Sequence, residues 1–226
     1  HIFEGAHGMG AAMSQDSDPS RLNADLGHRW ATIETSYKWH ASCRHTHPAG
    51  DALLQALADT GIPPKSIARV TADVHQGAID VLGPVTNPTS IHQAKFSMGT
   101  VLGLLAVHGK AGLTEFDAHA LTDPDVARFR EITEMRLDPQ IDAAYPARWI
   151  GQVTIQTADG TSHTARVETP KGDPGNPLSQ QEITDKALAL AAYGGREPQD
   201  TVQRWITEIM EMDTAHQAGD CLRRDG

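Results

Sequence analysis

The stretch PAGDALLQALADTGIPPKSIARVTADV, residues 48–74, contains both kinds of regular structure and decides the fold class. Its first part predicts a helix over about 48–60, because apolar residues recur there at helical spacing. These apolar residues are Ala49, Ala52, Leu53, Ala56 and Leu57. Pro48 suits the first position of a helix, and Gly61 with two following prolines ends it. The second part, about 67–75, alternates apolar and polar residues and predicts a β-strand.

The rest of the chain continues this mixture of helices and strands. Apolar periodicity predicts a helix over about 89–108, and Gly99 and Gly103 within it indicate close approach of another helix or a ligand. Asp159-Gly160 predicts a hairpin turn. The other predicted elements are a helix near 123–131, strands at 132–137, 149–157 and 161–169, and helices at about 179–193 and 198–212. Because helices and strands do not alternate strictly, we predict an α+β fold with a small, mainly antiparallel sheet packed against helices.

The amino-terminal part is expected to be irregular. Residues 5–27 are rich in Gly, Ser, Asp and Asn and predict loops with short helical pieces, followed by a weak strand candidate at 31–37. The opening letters HIFEGA resemble neither a translation start nor a secretion signal, so we expect an upstream part.

Composition and charge exclude several classes of protein. The chain has 226 residues and a formal net charge of −10, which opposes binding to nucleic acid. No apolar run approaches the ~20 residues that a membrane span needs, so we expect no membrane partner. The two cysteines, Cys43 and Cys221, are too few for a disulfide framework, and reduced thiols favour a cytoplasmic protein.

Cations and imidazoles are densest in residues 37–48, directly before the first strong helix. The free N–H groups and the dipole of a helix start favour anions, and flanking cations strengthen that preference. Carboxylate or phosphate is therefore the predicted ligand class, and the histidines can also transfer protons near neutral pH. The side chains concerned are Lys38, His40, Arg44, His45 and His47.

Two other interpretations of this segment remain open. Thr46 or His47 can serve only as a helix cap, with Lys38 and Arg44 in solvent. The pair His45-x-His47 places two imidazoles close together, as in some metal sites. Because no Asp or Glu completes a familiar metal motif, we expect no metal ion there.

Residues 87–97, NPTSIHQAKFS, form a second predicted helix start. His92 and Lys95 would share one face of its first turn. A cation in a first turn opposes the helix dipole, so Lys95 is best tolerated beside an anion, and surface exposure is the alternative. A third segment, 171–179, is interpreted as a turn followed by a helix cap at Ser179.

Together these three segments resemble the MmgE/PrpD family over about residues 3–210. The family's Lys-x-Tyr-Pro-x-Cys-like stretch leading to a His before a helix is matched by residues 38–47, with His40-Ala41 in place of Tyr-Pro. The family's Ala-Lys/Arg-Phe-Ser helix is matched by residues 94–97. Its Asn-Pro-Leu-Ser/Thr turn with a following Glu is matched by 176–179 and Glu182.

The resemblance implies a two-domain enzyme of which this chain is the carboxy-terminal half. Residues 1–36 would be a loop-rich linker from a helical amino-terminal domain, 37–175 the α+β domain, and 176–226 helices that pack on the helical domain. The helical half would lie in the same chain or in a separate one. Family members commonly form homodimers and use no metal or organic cofactor, so the resemblance implies a homo-oligomer without cofactors.

The resemblance further implies a lyase that acts on a small di- or tricarboxylate. Dehydration of the 2-methylcitrate type, with proton abstraction next to a carboxylate, is the first expectation. Decarboxylation of the cis-aconitate type, dicarboxylate epimerisation, and a non-catalytic role in polycarboxylate binding or partner stabilisation are the alternatives. Without the helical half we expect the chain to be inactive. The implied catalytic residues are Lys38, His45 and His47, and the implied substrate-binding residues are Arg44, His40 and Lys95.

Overall fold

The computed structural model describes residue 2 and residues 5–212. Cys221 and the end of the predicted 176–226 segment lie outside the described residues. The chain forms two compact units, His1–Thr35 and a second unit that begins at Ser36.

The first unit is mostly loop, as predicted. It contains one short helix, α1 (Met9–Met13), and two 3₁₀ turns, Pro19–Asn23 and Ala31–Glu34. The strand candidate at 31–37 is wrong, because the second of these turns occupies its first part. Among the residues that the structure describes, this stretch has no strand partner, and an unpaired strand has no ladder hydrogen bonds to hold it extended.

The second unit is built on a four-stranded sheet with the spatial order β2-β1-β3-β4. Its strands are β1 (Ile67–Val74), β2 (Thr133–Leu137), β3 (Gly151–Thr157) and β4 (Ser162–Val167). β3 pairs antiparallel with both β1 and β4, whereas β2 runs parallel to β1. The predicted α+β class with a small, mainly antiparallel sheet is therefore confirmed.

Helices surround this sheet and include several that sequence periodicity does not predict. Those of the second unit are α2 (His47–Thr60), α3 (Gln76–Leu82), α4 (Ile91–Ala94), α5 (Met98–His108), α6 (Leu113–His119), α7 (Pro124–Ile132), α8 (Pro139–Ala144), α9 (Gln180–Gly194) and α10 (Gln199–Met210). The unpredicted α3, α6 and α8 have six or seven residues each, too few to show a clear helical repeat.

The helix predicted over 89–108 is in fact two helices. Ser97 accepts a hydrogen bond from the Thr100 backbone N–H and begins α5, while Lys95 ends α4. The prediction that Lys95 lies in the first turn of a helix is therefore wrong. The Ser97 side chain caps the first turn of α5 and so allows a second helix to begin there. The apolar periodicity continues on both sides of Ser97, so the sequence pattern does not reveal the break.

The core lies between the sheet and the layer formed by α2 and α5. The predicted apolar stripe of α2 packs on β3 and β4, and Ala49, Leu53 and Ala56 are fully buried. The close helix approach predicted from the glycines is confirmed, because α5 and α7 meet there. A Cβ on Gly99 would lie 2.7 Å from the Arg130 Cα. No helix in the described part of the chain has the length and apolar character to cross a membrane.

Candidate active site

Residues 37–47, here called the site segment, reach α2 through non-regular backbone. The final part is a 3₁₀ turn, Arg44–Thr46, closed by the Thr46 hydroxyl, which donates to the Cys43 carbonyl at 2.8 Å. The Ala41 N–H donates to the Ala111 carbonyl, and the Cys43 N–H donates to the Lys95 carbonyl, both at 2.8 Å. Because these bonds satisfy buried backbone groups, they fix one path for the segment.

Residues 170–176, here called the brace loop, hold the start of the site segment. The Tyr37 N–H donates to the Gly172 carbonyl at 2.8 Å. Gly172 has φ +93°, and a Cβ at this position would collide with the Tyr37 carbonyl. Glycine is required on both counts, because other residues disfavour this backbone conformation and add the missing atom.

The brace loop makes two further contacts, one with a side chain of α2 and one with a side chain of the 3₁₀ turn before it. The Lys171 N–H donates to the Asp51 carboxylate at 2.6 Å. The Asp173 carboxylate accepts a charged hydrogen bond from the Arg44 guanidinium, and both side chains are largely buried. The segment interpreted from sequence as a turn and cap therefore also shapes the candidate site. The predicted capping box at Ser179 is present as well.

His40 and His47 are buried side by side. Their ring centroids lie 5.1 Å apart, and the side chains are 3% and 1% exposed. His40 Nε2 lies 3.1 Å from the Asp51 carboxylate. Burial lowers the pKa of His47 to about 3, and a hydrogen bond to the Ser42 backbone offsets this only in part. His47 is therefore neutral at physiological pH, and among the described residues its Nε2 has no hydrogen-bond partner.

His45 has a different environment, because it contacts a histidine that follows β1. His45 Nδ1 lies 3.2 Å from His75 Nε2, and burial lowers the pKa of both imidazoles. The His75 ring stacks on Tyr145 at 3.8 Å between centroids, and Trp149 lies 5.1 Å from His45. We call these four residues the aromatic cluster. Its two lowered pKa values favour neutral imidazoles, one of which can accept a proton.

The three predicted cations of the site differ in how they are paired. Arg44 is bound to Asp173 and also lies over the Trp149 ring, 4.9 Å from its centroid. Lys38 is exposed and has no hydrogen bond or ion pair with another described residue. Lys95 is half-buried, and its ammonium group lies 5.6 Å from the Phe116 ring without a carboxylate partner in the described residues.

The start of α2 is not open to a ligand within this unit. His47, Pro48 and Ala49 are buried, and a Cβ on Gly151 of β3 would collide with the backbone at Pro48 and Ala49. The anion site predicted at this helix start is therefore covered by the sheet. Lys38, the unpaired cation of the site segment, lies before the helix, so an anion bound there would contact side chains rather than the N–H groups of α2.

The structure also separates the two imidazoles of His45-x-His47. His45 contacts His75, whereas His47 contacts His40, so the two rings face different neighbours. Among the described residues, a group with metal-ligand spacing is found elsewhere, at His108, His119 and Asp123.

A cleft of about 310 Å³ adjoins the site segment at Trp39 and His40. It lies between residues 109–115 and α9, and Lys110 and Lys186 are among its lining residues. The Lys186 ammonium donates to the Trp39 carbonyl at 3.2 Å, and burial lowers its pKa. A volume of this size accommodates a small organic acid.

Sequence reasoning missed several residues of this site. His75 is the first residue after β1, a position where a polar side chain often reaches a site, and this signal could have found it. Tyr145, Trp149 and Asp173 carry no comparable local signal. They join the site only because the fold brings together segments far apart in the sequence.

The fold and site define an α+β domain in which one lysine, one arginine and three histidines lie along the chain that enters its first long helix. A sequence model described as the MmgE/PrpD C-terminal domain matches residues 40–212, which is more than half of the chain. The chain therefore belongs to the MmgE/PrpD family, of which it carries the carboxy-terminal domain. This domain occurs in 2-methylcitrate dehydratase-like enzymes. No curated protein matches the chain.

Proposed function

We propose that this domain forms half of a cofactor-independent lyase for a small polycarboxylate, and that it dehydrates a 2-methylcitrate-like substrate. The family includes lyases such as dehydratases, which supports the reaction class. The proposal requires a helical amino-terminal half, in the same chain or a separate one, to complete the active site. A homo-oligomer of the complete enzyme is part of the same proposal.

The observation that carries the proposal is the state of two lysines. Lys38 and Lys95 have no acidic partner among the described residues, whereas Arg44, which lies between them in sequence, is neutralised by Asp173. The Lys95 carbonyl is hydrogen-bonded to Cys43, so the second lysine is tied to the site segment. Two unpaired ammonium groups suit a substrate with two or more carboxylates.

The histidines support a proton transfer. In a dehydration, a base takes the proton on the carbon next to a carboxylate, and the C–H electron pair forms the C=C bond. The C–O bond then breaks, and water leaves with a proton from an acid. His45 is the candidate base, because its lowered pKa keeps the imidazole neutral and its neighbour His75 can share the proton. Lys38 would stabilise the negative charge that develops on the carboxylate.

Substitution of Lys38 tests this function in the completed enzyme. The protein is combined with a helical MmgE/PrpD amino-terminal half, and loss of water from 2-methylcitrate is followed by proton NMR. We expect Lys38→Met to lower kcat/KM by about 100-fold, because it removes one charge that stabilises the transition state. Lys65→Met is the matched control, since Lys65 is an exposed lysine paired with Asp125, and we expect it to keep full activity.

The same experiment separates the alternatives. CO₂ release from cis-aconitate without water loss would replace dehydration by decarboxylation and leave the lysine roles intact. Equal turnover of Lys38→Met and the wild type would contradict the site assignment. Binding of tricarboxylates without any turnover in the completed particle would contradict the lyase and favour the non-catalytic role.

A further inference from the structure

Three consecutive helices place a histidine–carboxylate group outside the site segment. His108 is the last residue of α5, His119 is the last residue of α6, and Asp123 immediately precedes α7. One ligand atom from each residue lies within 4.8 Å of the other two. The three side chains are between 17% and 39% exposed, so the group is anchored in the fold and still reaches solvent.

The Asp123 carboxylate is held so that one oxygen faces the histidines. Its Oδ1 accepts hydrogen bonds from the Asp125 and Val126 N–H groups, at 2.8 and 3.4 Å, and caps α7. Its Oδ2 lies 2.9 Å from His108 Nε2 and 4.0 Å from His119 Nδ1. Metal-binding side chains are commonly fixed by such additional hydrogen bonds.

In this arrangement His119 Nδ1 has no hydrogen-bond partner among the described residues. The rings of His108 and His119 stack at 3.9 Å with an angle of 15° between their planes. Two protonated imidazoles so close together would repel each other. If both are neutral, His108 can donate to Asp123 while His119 Nδ1 remains too distant for a hydrogen bond. A divalent ion between the three ligand atoms would satisfy all of them.

We propose that His108, His119 and Asp123 bind a first-row transition-metal ion, with Zn²⁺ as the ion of first choice. Two imidazole nitrogens and one carboxylate oxygen are ligands that Zn²⁺ takes at about 2.1 Å, which places tetrahedral ligand atoms about 3.4 Å apart. The distances of 2.9 and 4.0 Å to Asp123 Oδ2 lie on either side of that spacing. Binding requires the exposed His119 ring to turn about its Cα–Cβ bond, so that Nδ1 points at the ion. Water would complete the coordination.

The role of this ion is structural. It joins the ends of α5, α6 and the start of α7, and the loop after His108 leads to Ala111, whose carbonyl holds Ala41 of the site segment. No step of the proposed lyase reaction involves the ion. The metal site rests on other residues than the lyase, so failure of one proposal does not affect the other.

Zinc titration of single-histidine variants tests the site. The purified protein is stripped of metal, and Zn²⁺ affinity is measured by competition with a chromophoric chelator. We expect one site in the wild type that His119→Ala and His108→Ala weaken at least tenfold. The control is His163→Ala, because His163 also faces a carboxylate, Asp59 at 3.7 Å, but belongs to no group of three metal ligands in the described part of the chain. This control should bind Zn²⁺ as the wild type does.

A second readout covers the chance that a variant folds poorly. Without metal, His119→Ala should unfold at the same urea concentration as the wild type, since its side chain is partly exposed at a helix end. With Zn²⁺ added, the midpoint should rise for the wild type and His163→Ala but not for His119→Ala. Equal Zn²⁺ affinity and equal stabilisation in all four proteins, or no binding by the wild type, would overturn the proposal.

Discussion

Two histidine pairs lie at the same short segment, and they differ in their neighbours and in the exposure of one ring, that of His45. His40 and His47 are sealed in the interior, where Asp51 holds one ring and burial keeps the other neutral. His45 and His75 share a contact between ring nitrogens and are bordered by Tyr145 and other aromatic residues. The difference shows that histidines close together in sequence can lie in different environments. The first pair is buried at the entry to α2, whereas in the second pair His75 is buried and His45 is only half-buried.

The largest expected effect comes from removing Asp51, the partner of the buried pair His40 and His47. Asp51→Ala leaves the buried His40 ring and the Lys171 N–H without their common acceptor. We expect a loss of about 3 kcal/mol in the free energy of unfolding, as for other broken buried pairs. Urea denaturation at neutral pH measures it.

The matched control is an exposed pair of the same chemistry. Asp59 faces His163 at 3.7 Å, and both side chains are at least one-third exposed. Asp59→Ala should therefore cost less than about 1 kcal/mol. Equal losses of unfolding free energy in Asp51→Ala and Asp59→Ala would show that the buried contact of Asp51 with His40 contributes no more than a surface contact.

An intermediate effect is expected from the pH dependence of stability. The pKa of His47 is about 3 in the folded protein, against 6.5 for an unperturbed histidine. Between these values the unfolded chain binds more protons, so the stability contributed by neutral His47 is complete above 6.5 and is lost as the pH falls. From about pH 7 to about pH 5, this residue alone should cost about 2 kcal/mol.

Substitution of His47 isolates that contribution. His47→Asn keeps a side-chain donor for the Ser42 backbone but does not titrate. The difference in unfolding free energy between about pH 7 and about pH 5 should be smaller in this variant by about 2 kcal/mol. If wild type and variant lose the same stability on acidification, His47 is not held neutral by burial.

The smallest expected effect concerns the contact between His45 and His75. A positive charge on His45 disfavours protonation of His75, in addition to the effect of burial. His45→Phe keeps a ring beside Trp149 and removes the charge, so the pKa of His75 should rise. Proton NMR titration of the imidazole C2–H measures this pKa, with His163→Phe as the control. An unchanged pKa would mean that the two imidazoles titrate independently, and a lower pKa would mean that the contact with His45 stabilises protonated His75.

Local periodicity was sufficient to predict much of the fold. The helix α2 follows from a repeat of 3.6 residues, because it buries one face in the core. The strand β1 follows from its alternation of apolar and polar residues, although the polar Thr71 and Asp73 are buried as well. The break between Lys95 and Ser97 was missed because a single hydroxyl cap starts α5 within an apolar pattern. The parallel pairing of β1 with β2 is a property of the whole chain path, which no short window of sequence contains.

The candidate site segment was chosen from sequence, whereas its tertiary contacts were not predicted. Family motifs and residue types identified the site segment, because they are local. The pairing of Arg44 with Asp173 joins residues 129 positions apart, and that of His45 with His75 joins residues 30 apart. Which cation is neutralised and which imidazole is accessible depends on these distant contacts. The roles assigned to Lys38, His45 and His47 therefore stay predictions.

The brace loop has a consequence for the order in which the molecule assembles. It meets Tyr37, Asp51 and Arg44 only after the intervening strands and helices have brought the two stretches together. Closing so long a loop costs chain entropy that earlier, more local contacts do not. The sheet and α2 can form while the candidate site is still open. In refolding, the hydrophobic core should therefore form before the contacts of the brace loop, and recovery of those contacts should lag behind recovery of secondary structure.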